Sequence, residues 1–346
     1  MTRVRARAGK VAKPRRTPKL RVVAIGGGHG LAASVRALKH LDQPGRRLDL
    51  SAVVSVADDG ASSGRVRSEL GILPPGDLRK SLVALAGDSP TAVTAATLFE
   101  HRLGGTGPLA GHAVGNLILA GLLEQLGDAP TALAAAAAML DARGRVLPAA
   151  ERPLVLGGEV VTAGSDRAEK VGGQAALVRA RGRIRRLWID PEDVPACPAA
   201  VQAIEAADAV VIGPGSWFTS VLAPLLVPGI GAAVARTRAK VVLVLNLAAG
   251  PGETEGMTAA AHVDVLAEHL PGLRCDAIVT DPSVAPANSE VTTKLDSAAA
   301  AMGARVIHAP VAAADGTPRH DQSLLAAALW GALDGAYERM AVDSWR

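Results

Sequence analysis

Short runs of β-branched and aliphatic residues alternate along this chain with stretches whose apolar positions recur every three to four residues, the pattern of strands feeding helices. Arg21-Val22-Val23-Ala24-Ile25 predicts a first strand, which breaks into Gly26-Gly27-Gly28-His29-Gly30 before Val35, Leu38 and Leu41 mark one helix face. Residues 50–56 predict a second strand, and Leu78, Leu82 and Leu85 set the apolar face of the next helix. The loop 104–111 opens a longer apolar helix through about Leu126, and an Ala-rich helix follows over 132–140. Strands are expected again at 209–212, 240–246, 277–280 and 304–308, with a helix near 258–269. Between 147 and 190, the segments 154–156, 159–162 and 184–189 are short, extended and separated by glycines and charges, which predicts a small antiparallel insertion. Five or six parallel strands flanked by helices make the expected fold a Rossmann-like, doubly wound, mostly parallel α/β sheet. The expected organisation is a basic disordered tail at 1–19, one nucleotide-binding α/β domain at 20–335 carrying the insertion at about 147–190, and a C-terminal tail at 336–346.

Composition changes this picture in two places. A chain of 346 residues that is 49% hydrophobic supports a sizeable core and excludes a disordered protein. The formal charge of +4 conceals an asymmetry, because the first 21 residues hold nine Lys or Arg and no acid, leaving 28 basic against 33 acidic residues beyond them. The body is therefore acidic, and nucleic acid is not its expected partner. The tail, with Pro14, Pro18 and no apolar periodicity, reads as a disordered arm. Cys197 and Cys275 form no metal-binding or disulfide pattern, and the basic N-terminus lacks the apolar core of a secretory signal. The most apolar stretch, 217–235, is interrupted by Pro224, Pro228, Gly229 and Gly231, so no membrane span is expected. A cytoplasmic location follows from these readings.

Candidate chemistry gathers at strand ends. A glycine loop between strand and helix lets backbone N–H groups approach a diphosphate at the positive end of the helix. Gly28-x-Gly30-x-x-Ala33 fits the G-x-G-x-x-A form of the dinucleotide fingerprint, whereas no Walker loop occurs. Gly213-Pro214-Gly215-Ser216 repeats the arrangement after another strand, with Trp217 and Phe218 placed either to stack on a base or to pack in the core. Asp58-Asp59-Gly60 ends the second strand and supplies either turn residues or two carboxylates for a Mg²⁺ ion shared with ligand phosphates. Asp77 is placed as the N-cap of the following helix. Arg79 and Lys80 then fall in a first turn that favours acids, which points either to a bound anion or to pairing with solvent or Glu69. Asn116 near another helix start offers a donor and an acceptor, or a cap. Gly252-Glu253-Thr254-Glu255-Gly256 supplies sugar-hydroxyl ligands or a hinge, and Arg319-His320-Asp321 brings one more cation. No Ser/His/Asp or Cys/His set assembles, and no catalytic residue is assigned.

Six ordered blocks resemble the gluconeogenesis factor (YvcK-like) family, itself similar to the 2-phospho-L-lactate transferases (CofD-like). They are AIGGGHGL from Ala24, VADDGASSGRVRSELGILPPGDLRK from Val56, GHAVGNLILAGL from Gly111, GPGSWFTSVLAPLLVPGI from Gly213, PGETEGMTAAAHV from Pro251 and RHD from Arg319. The resemblance implies a Rossmann-like sheet binding a UDP-sugar such as UDP-N-acetylglucosamine, or a nicotinamide dinucleotide. It also implies a role in cell shape and peptidoglycan precursor supply, exerted through partner proteins, with self-association left open and no cofactor required. The residues it places at the ligand are Gly26, Gly27, Gly28, His29 and Gly30, with Asp58, Asp59, Ser63, Asp77, Arg79 and Lys80. Asn116, Gly213, Pro214, Gly215, Ser216, Thr219, Glu253, Thr254 and Arg319 complete the set. Three departures stand out: His29 replaces the usual Thr or Ser, Lys80-Ser81 replaces Asn-Cys, and Trp217-Phe218 replaces an aliphatic residue and a Tyr. Two other functions are carried as expectations: a Mg²⁺-dependent transferase using a nucleotide diphosphate donor, and an NAD(P)-dependent oxidoreductase.

Overall fold

The computed structural model describes residues 19–343 apart from 44–46, 163–166, 181 and 251–252, and describes no side chains beyond Leu333. The N-terminal arm read from the sequence therefore lies outside the described residues, apart from Lys19. Seven strands form one parallel sheet: β1 (Lys19–Gly26), β2 (Arg47–Val54), β3 (Arg145–Pro148), β7 (Ala209–Ile212), β8 (Lys240–Val244), β9 (Ala277–Thr280) and β10 (Arg305–His308). Their order is β10-β9-β8-β7-β1-β2-β3. A second, antiparallel sheet has β4 (Val155–Val161) between β5 (Ala168–Gly172) and β6 (Arg183–Asp190).

The main strands are short and apolar because both faces of a parallel sheet are covered by helices. Ala209-Val210-Val211-Ile212 and Ala277-Ile278-Val279-Thr280 are buried at every position. The helices are α1 (Gly28–Leu41), α2 (Ala61–Leu70), α3 (Pro75–Leu85), α4 (Pro90–Glu100), α5 (Val114–Leu126), α6 (Ala129–Met139) and α7 (Gln174–Arg179). They continue with α8 (Pro198–Glu205), α9 (Ala223–Leu226), α10 (Pro228–Arg236), α11 (Ala259–His269), α12 (Glu290–Ala301) and α13 (Gln322–Asp343). A π-helical turn, Trp217–Leu222, runs into α9. Helix α1 packs between α3 and α13, while α8 and α10 pack together.

The chain winds outward from β1 to β2 and β3, then returns to lay β7 on the other side of β1, with Val22 opposite both Leu50 and Ala209. Strand order reverses at this point. Loops leaving β1 and β7 at their carboxyl ends diverge there and leave a crevice, which is where open α/β sheets bind ligands.

Several local expectations are corrected. The sheet has seven strands because β3, placed by the sequence at the start of the insertion, pairs with β2 through Ser51–Val54 against Arg145–Pro148. The insertion proper begins at β4, which joins the two expected segments into one strand across Gly157-Gly158. Directly after the Asp58-Asp59-Gly60 turn, residues 61–64 open a helix, α2, that the sequence pattern did not place. Helix α3 starts at Pro75, so its N-cap is Pro74 and Asp77 lies in the first turn, moving Arg79 and Lys80 to the second. Proline fits a first helical position, where its missing N–H is no loss. The segment read as a C-terminal tail from 336 continues α13 to Asp343. Among the described residues, no single helix is long and apolar enough to cross a membrane, and the apolar stretch 217–236 bends by 84° between two short helical pieces.

Candidate functional site

Two glycine loops meet at the point where strand order reverses. Gly27 is extended and caps α1 through its backbone alone, whereas α4, α6 and α12 each begin with a Ser or Asp side chain accepting a first-turn N–H. The first-turn amides of α1 thus carry no side-chain cap, and the helix dipole adds to their attraction for an anion. Gly30 brings α1 against the β7 loop: a Cβ there would stand 2.5 Å from Gly215 Cα, and Ser34 Oγ donates to Gly213 O at 2.6 Å. Asn246, after β8, fixes the loop from the other side by accepting Gly215 N–H at 2.9 Å and donating to Gly215 O at 2.7 Å.

A cleft of about 980 Å³ lies over these loops and is bounded by Gly27, Gly28, His29, Gly30, Pro214, Gly215 and Ser216. That volume is at the upper end of small-molecule sites and accommodates a dinucleotide-sized ligand. Its β2-side wall carries Asp58, Asp77, Lys80 and Gln174, and its β8-side wall carries residues 246–250 with Pro318, Arg319 and His320. Asp77 and Lys80 sit three residues apart on one face of α3, with Lys80 Nζ donating to Asp77 Oδ1 at 2.9 Å. Asp58 is held above the usual carboxylate range, first by burial and then by the negative charge of Asp77. Burial and the charge of Lys80 push the His29 imidazole down, so at neutral pH it presents a neutral ring to the cleft. Arg319 is largely exposed and pairs with Asp315 at 2.6 Å. Such a pair is worth little in water, about 0–1 kcal/mol, so the guanidinium can be given up to a ligand phosphate.

Other expected ligand residues face protein groups. Arg79 is one residue, about 100° of helix turn, from Lys80 and points between α4 and α5. Its Nε donates to Asn116 Oδ1 at 3.0 Å and its Nη1 pairs with Glu100 at 2.6 Å, so the partner is neither Glu69 nor solvent. Asn116, which does not cap α5, donates to Ser62 Oγ at 2.9 Å, and Ser62 in turn bonds His112 Nδ1 at 3.0 Å. Asn116→Ala strips Arg79 and Ser62 of partners at once, and an expected loss of about 1–3 kcal/mol in denaturant unfolding checks this. Ser63 Oγ accepts Gly76 N–H at 3.0 Å, tying α2 to α3. Asp59 turns away from the cleft and accepts Ala175 N–H at 2.8 Å, so the carboxylates sharing the cleft are Asp58 and Asp77.

Glu253 answers the π-helical turn. Its Oε1 accepts Phe218 N–H at 2.6 Å and Thr219 N–H at 2.8 Å, filling with a protein carboxylate the place where an anion would sit on that helical start. Burial raises its carboxyl above the ordinary value and these hydrogen bonds oppose the shift. Thr254 Oγ1 accepts Gly250 N–H at 2.7 Å, which makes this loop a braced wall; Gly252 is outside the described residues. Trp217 and Phe218 are fully buried, Trp217 standing edge-on to His262 with centroids 4.9 Å apart, so both are core residues.

Sequence reasoning missed Arg36, Gln174, Ser220 and Asn246, which also line the cleft. Arg36 had a signal, lying two turns along α1 from His29. Asn246 ended an expected strand, and carboxyl ends of parallel strands are where ligand-facing residues collect. Gln174 had none.

The strand order, the uncapped α1 and the glycine-walled cleft define a doubly wound α/β protein with a ligand-sized crevice at its switch point. Residues 22–312 match the family described as 2-phospho-L-lactate transferase CofD. A relative from Mycobacterium tuberculosis (strain H37Rv), named among the gluconeogenesis factors, is 47% identical over 314 residues, covering 90% of this chain and 89% of its own. The gluconeogenesis factor of Bacillus subtilis (strain 168) is 41% identical over 252 residues, covering 73% and 75%. A crystal structure of a UPF0052-family protein from Bacillus halodurans superposes with a TM-score of 0.79 at 35% identity, over 90% of this chain and 99% of that one. The chain belongs to the gluconeogenesis factor branch of the CofD family.

Proposed function

We infer that this protein binds a nucleotide sugar of the UDP-N-acetylglucosamine type and acts as a regulator, its occupancy being read by partner proteins of cell-wall precursor metabolism. The carrying observation is the cleft at the strand-order reversal, where the uncapped start of α1 faces a wall with two carboxylates. Backbone amides of residues 28–30 take the diphosphate, with Arg319 released from Asp315 to join them. Hydroxyl groups of the sugar find acceptors in Asp58 and Asp77. The name shared by the relatives, gluconeogenesis factor, supports a role in metabolic regulation, and we extend that role to cell shape and peptidoglycan supply.

Calorimetric titration of the full chain with UDP-N-acetylglucosamine and with NADP⁺ tests this reading. The expected result is tighter binding of the UDP-sugar without added metal, weakened about ten-fold, or ~1.4 kcal/mol, by Arg319→Ala at unchanged melting temperature. Tighter NADP⁺ binding would sink it.

A second reading rests on the paired carboxylates. Asp58 and Asp77 fit a Mg²⁺ ion held jointly with ligand phosphates, provided Lys80 gives up Asp77. When bound, the ion would neutralise phosphate charge during group transfer. Binding that requires Mg²⁺, with product formation lost in Asp58→Asn, would favour this transferase reading.

A further inference from the structure

The two aspartates that follow β2 face in different directions, and the difference brings the antiparallel insertion into the cleft. Asp58 lines the cleft, whereas Asp59 reaches to the start of α7 in the insertion, where Oδ1 accepts Ala175 N–H at 2.8 Å. Gly173, at φ +99°, lets this happen: a Cβ there would lie 2.7 Å from Asp59 Oδ2 and would push the carboxylate away. Between the two clamped residues stands Gln174, and it lines the cleft. Its Oε1 is shut off from solvent and has no hydrogen-bond partner among the described residues. An amide oxygen left unpaired and sealed from solvent gains a hydrogen bond only when the side chain turns it toward a ligand group in the cleft.

We propose that Gln174 is a specificity-determining residue that hydrogen-bonds the sugar of a nucleotide sugar, and that Asp59 is the positioning residue that keeps it there. The proposal rests on the nucleotide-sugar reading above and adds a direction to it. Phosphate groups belong at the glycine loops in the middle of the cleft, where amides converge. On the β2 side, Asp77 is already paired with Lys80 and Asp58 offers a carboxylate oxygen to hydroxyls, so that Gln174 completes a wall of mixed donors and acceptors suited to a polyol. On the β8 side, Leu247, Ala248 and Ala249 offer small apolar contacts that suit the flat face of a base. The ligand therefore lies across the sheet edge, with its sugar toward the insertion.

The test is calorimetric titration of the full chain with UDP-N-acetylglucosamine and with UDP, which lacks the sugar. Gln174→Ala is expected to weaken the sugar nucleotide about ten-fold and UDP less than about two-fold, the loss of one well-placed hydrogen bond. Asp59→Ala is expected to give the same selective loss, and Asp59→Asn, which keeps an accepting oxygen, to restore the wild-type ratio. Equal losses for both ligands, or none for either, overturn the role of Gln174. A selective loss in Gln174→Ala without one in Asp59→Ala overturns only the positioning role. Wild-type protein that binds neither ligand overturns the nucleotide-sugar reading itself, and this is visible before any variant is measured.

Discussion

Arg79→Ala is expected to destabilise the folded chain by about 2–4 kcal/mol while leaving nucleotide-sugar affinity within about two-fold of wild type at temperatures where the variant is folded. The side chain is 2% exposed and joins three elements: Asn116 on α5, and Phe99 O and Glu100 on α4. Removing it leaves a buried amide oxygen and a buried carbonyl without a donor, and opens space beside Gly115, where a Cβ would already touch Arg79 Cδ at 2.8 Å. Lysine at the same position keeps the charge and loses the planar fork, so Arg79→Lys should recover only part of the stability. Denaturant unfolding and calorimetry on the same preparations check both statements. A variant that stays as stable as wild type and loses ligand would return Arg79 to the ligand, where the sequence placed it.

Gly30→Ala is the second substitution of large effect. Most overpacked sites relax by moving a neighbouring side chain, but here the neighbours are backbone atoms, Pro214 O and Gly215 Cα, in a loop pinned by Ser34 and Asn246. Relief requires α1 to move away from the β7 loop, at an expected cost of about 3 kcal/mol. The movement also carries the α1 amides out of line with the cleft, so UDP-N-acetylglucosamine affinity should fall by about 100-fold or more, a loss of ~2.7 kcal/mol or more. Gly104→Ala, with nothing within 4 Å of its Cβ position, is the control and should leave both quantities unchanged. Retained binding in Gly30→Ala would mean that α1 does not hold the diphosphate.

The sequence by itself determined the parallel sheet and both glycine loops, but not the order of its strands. The reason is local: alternating periodicity and glycine runs are written in consecutive residues, and β1, β7, β8, β9 and β10 lie within two residues of where those patterns place them, while α1 starts three residues early, at Gly28. The helix start at α3 misled because Pro74, Pro75 and Asp77 compete for the same role, and the three-residue difference brings Asp77 inside the helix, where it shares a face with Lys80. Asp77 and Lys80 turn to the cleft, and Arg79, the more obvious phosphate ligand, turns to the core.

Only the tertiary structure decided the walls of the cleft. Asp58 and Asp59 are neighbours in a turn, where no period sets direction, and what separates them is that Ala175, 116 residues further on, offers an N–H to one of them. Glu253 lines the cleft as the sequence expects, and only the fold shows that its Oε1 is taken up by the amides of Phe218 and Thr219. Gln174 and Asn246 enter the cleft because the insertion and β8 are folded beside loops far away in sequence. Side-chain direction in loops is fixed by whichever distant partner satisfies a buried polar group, and that choice is made by packing across the sheet.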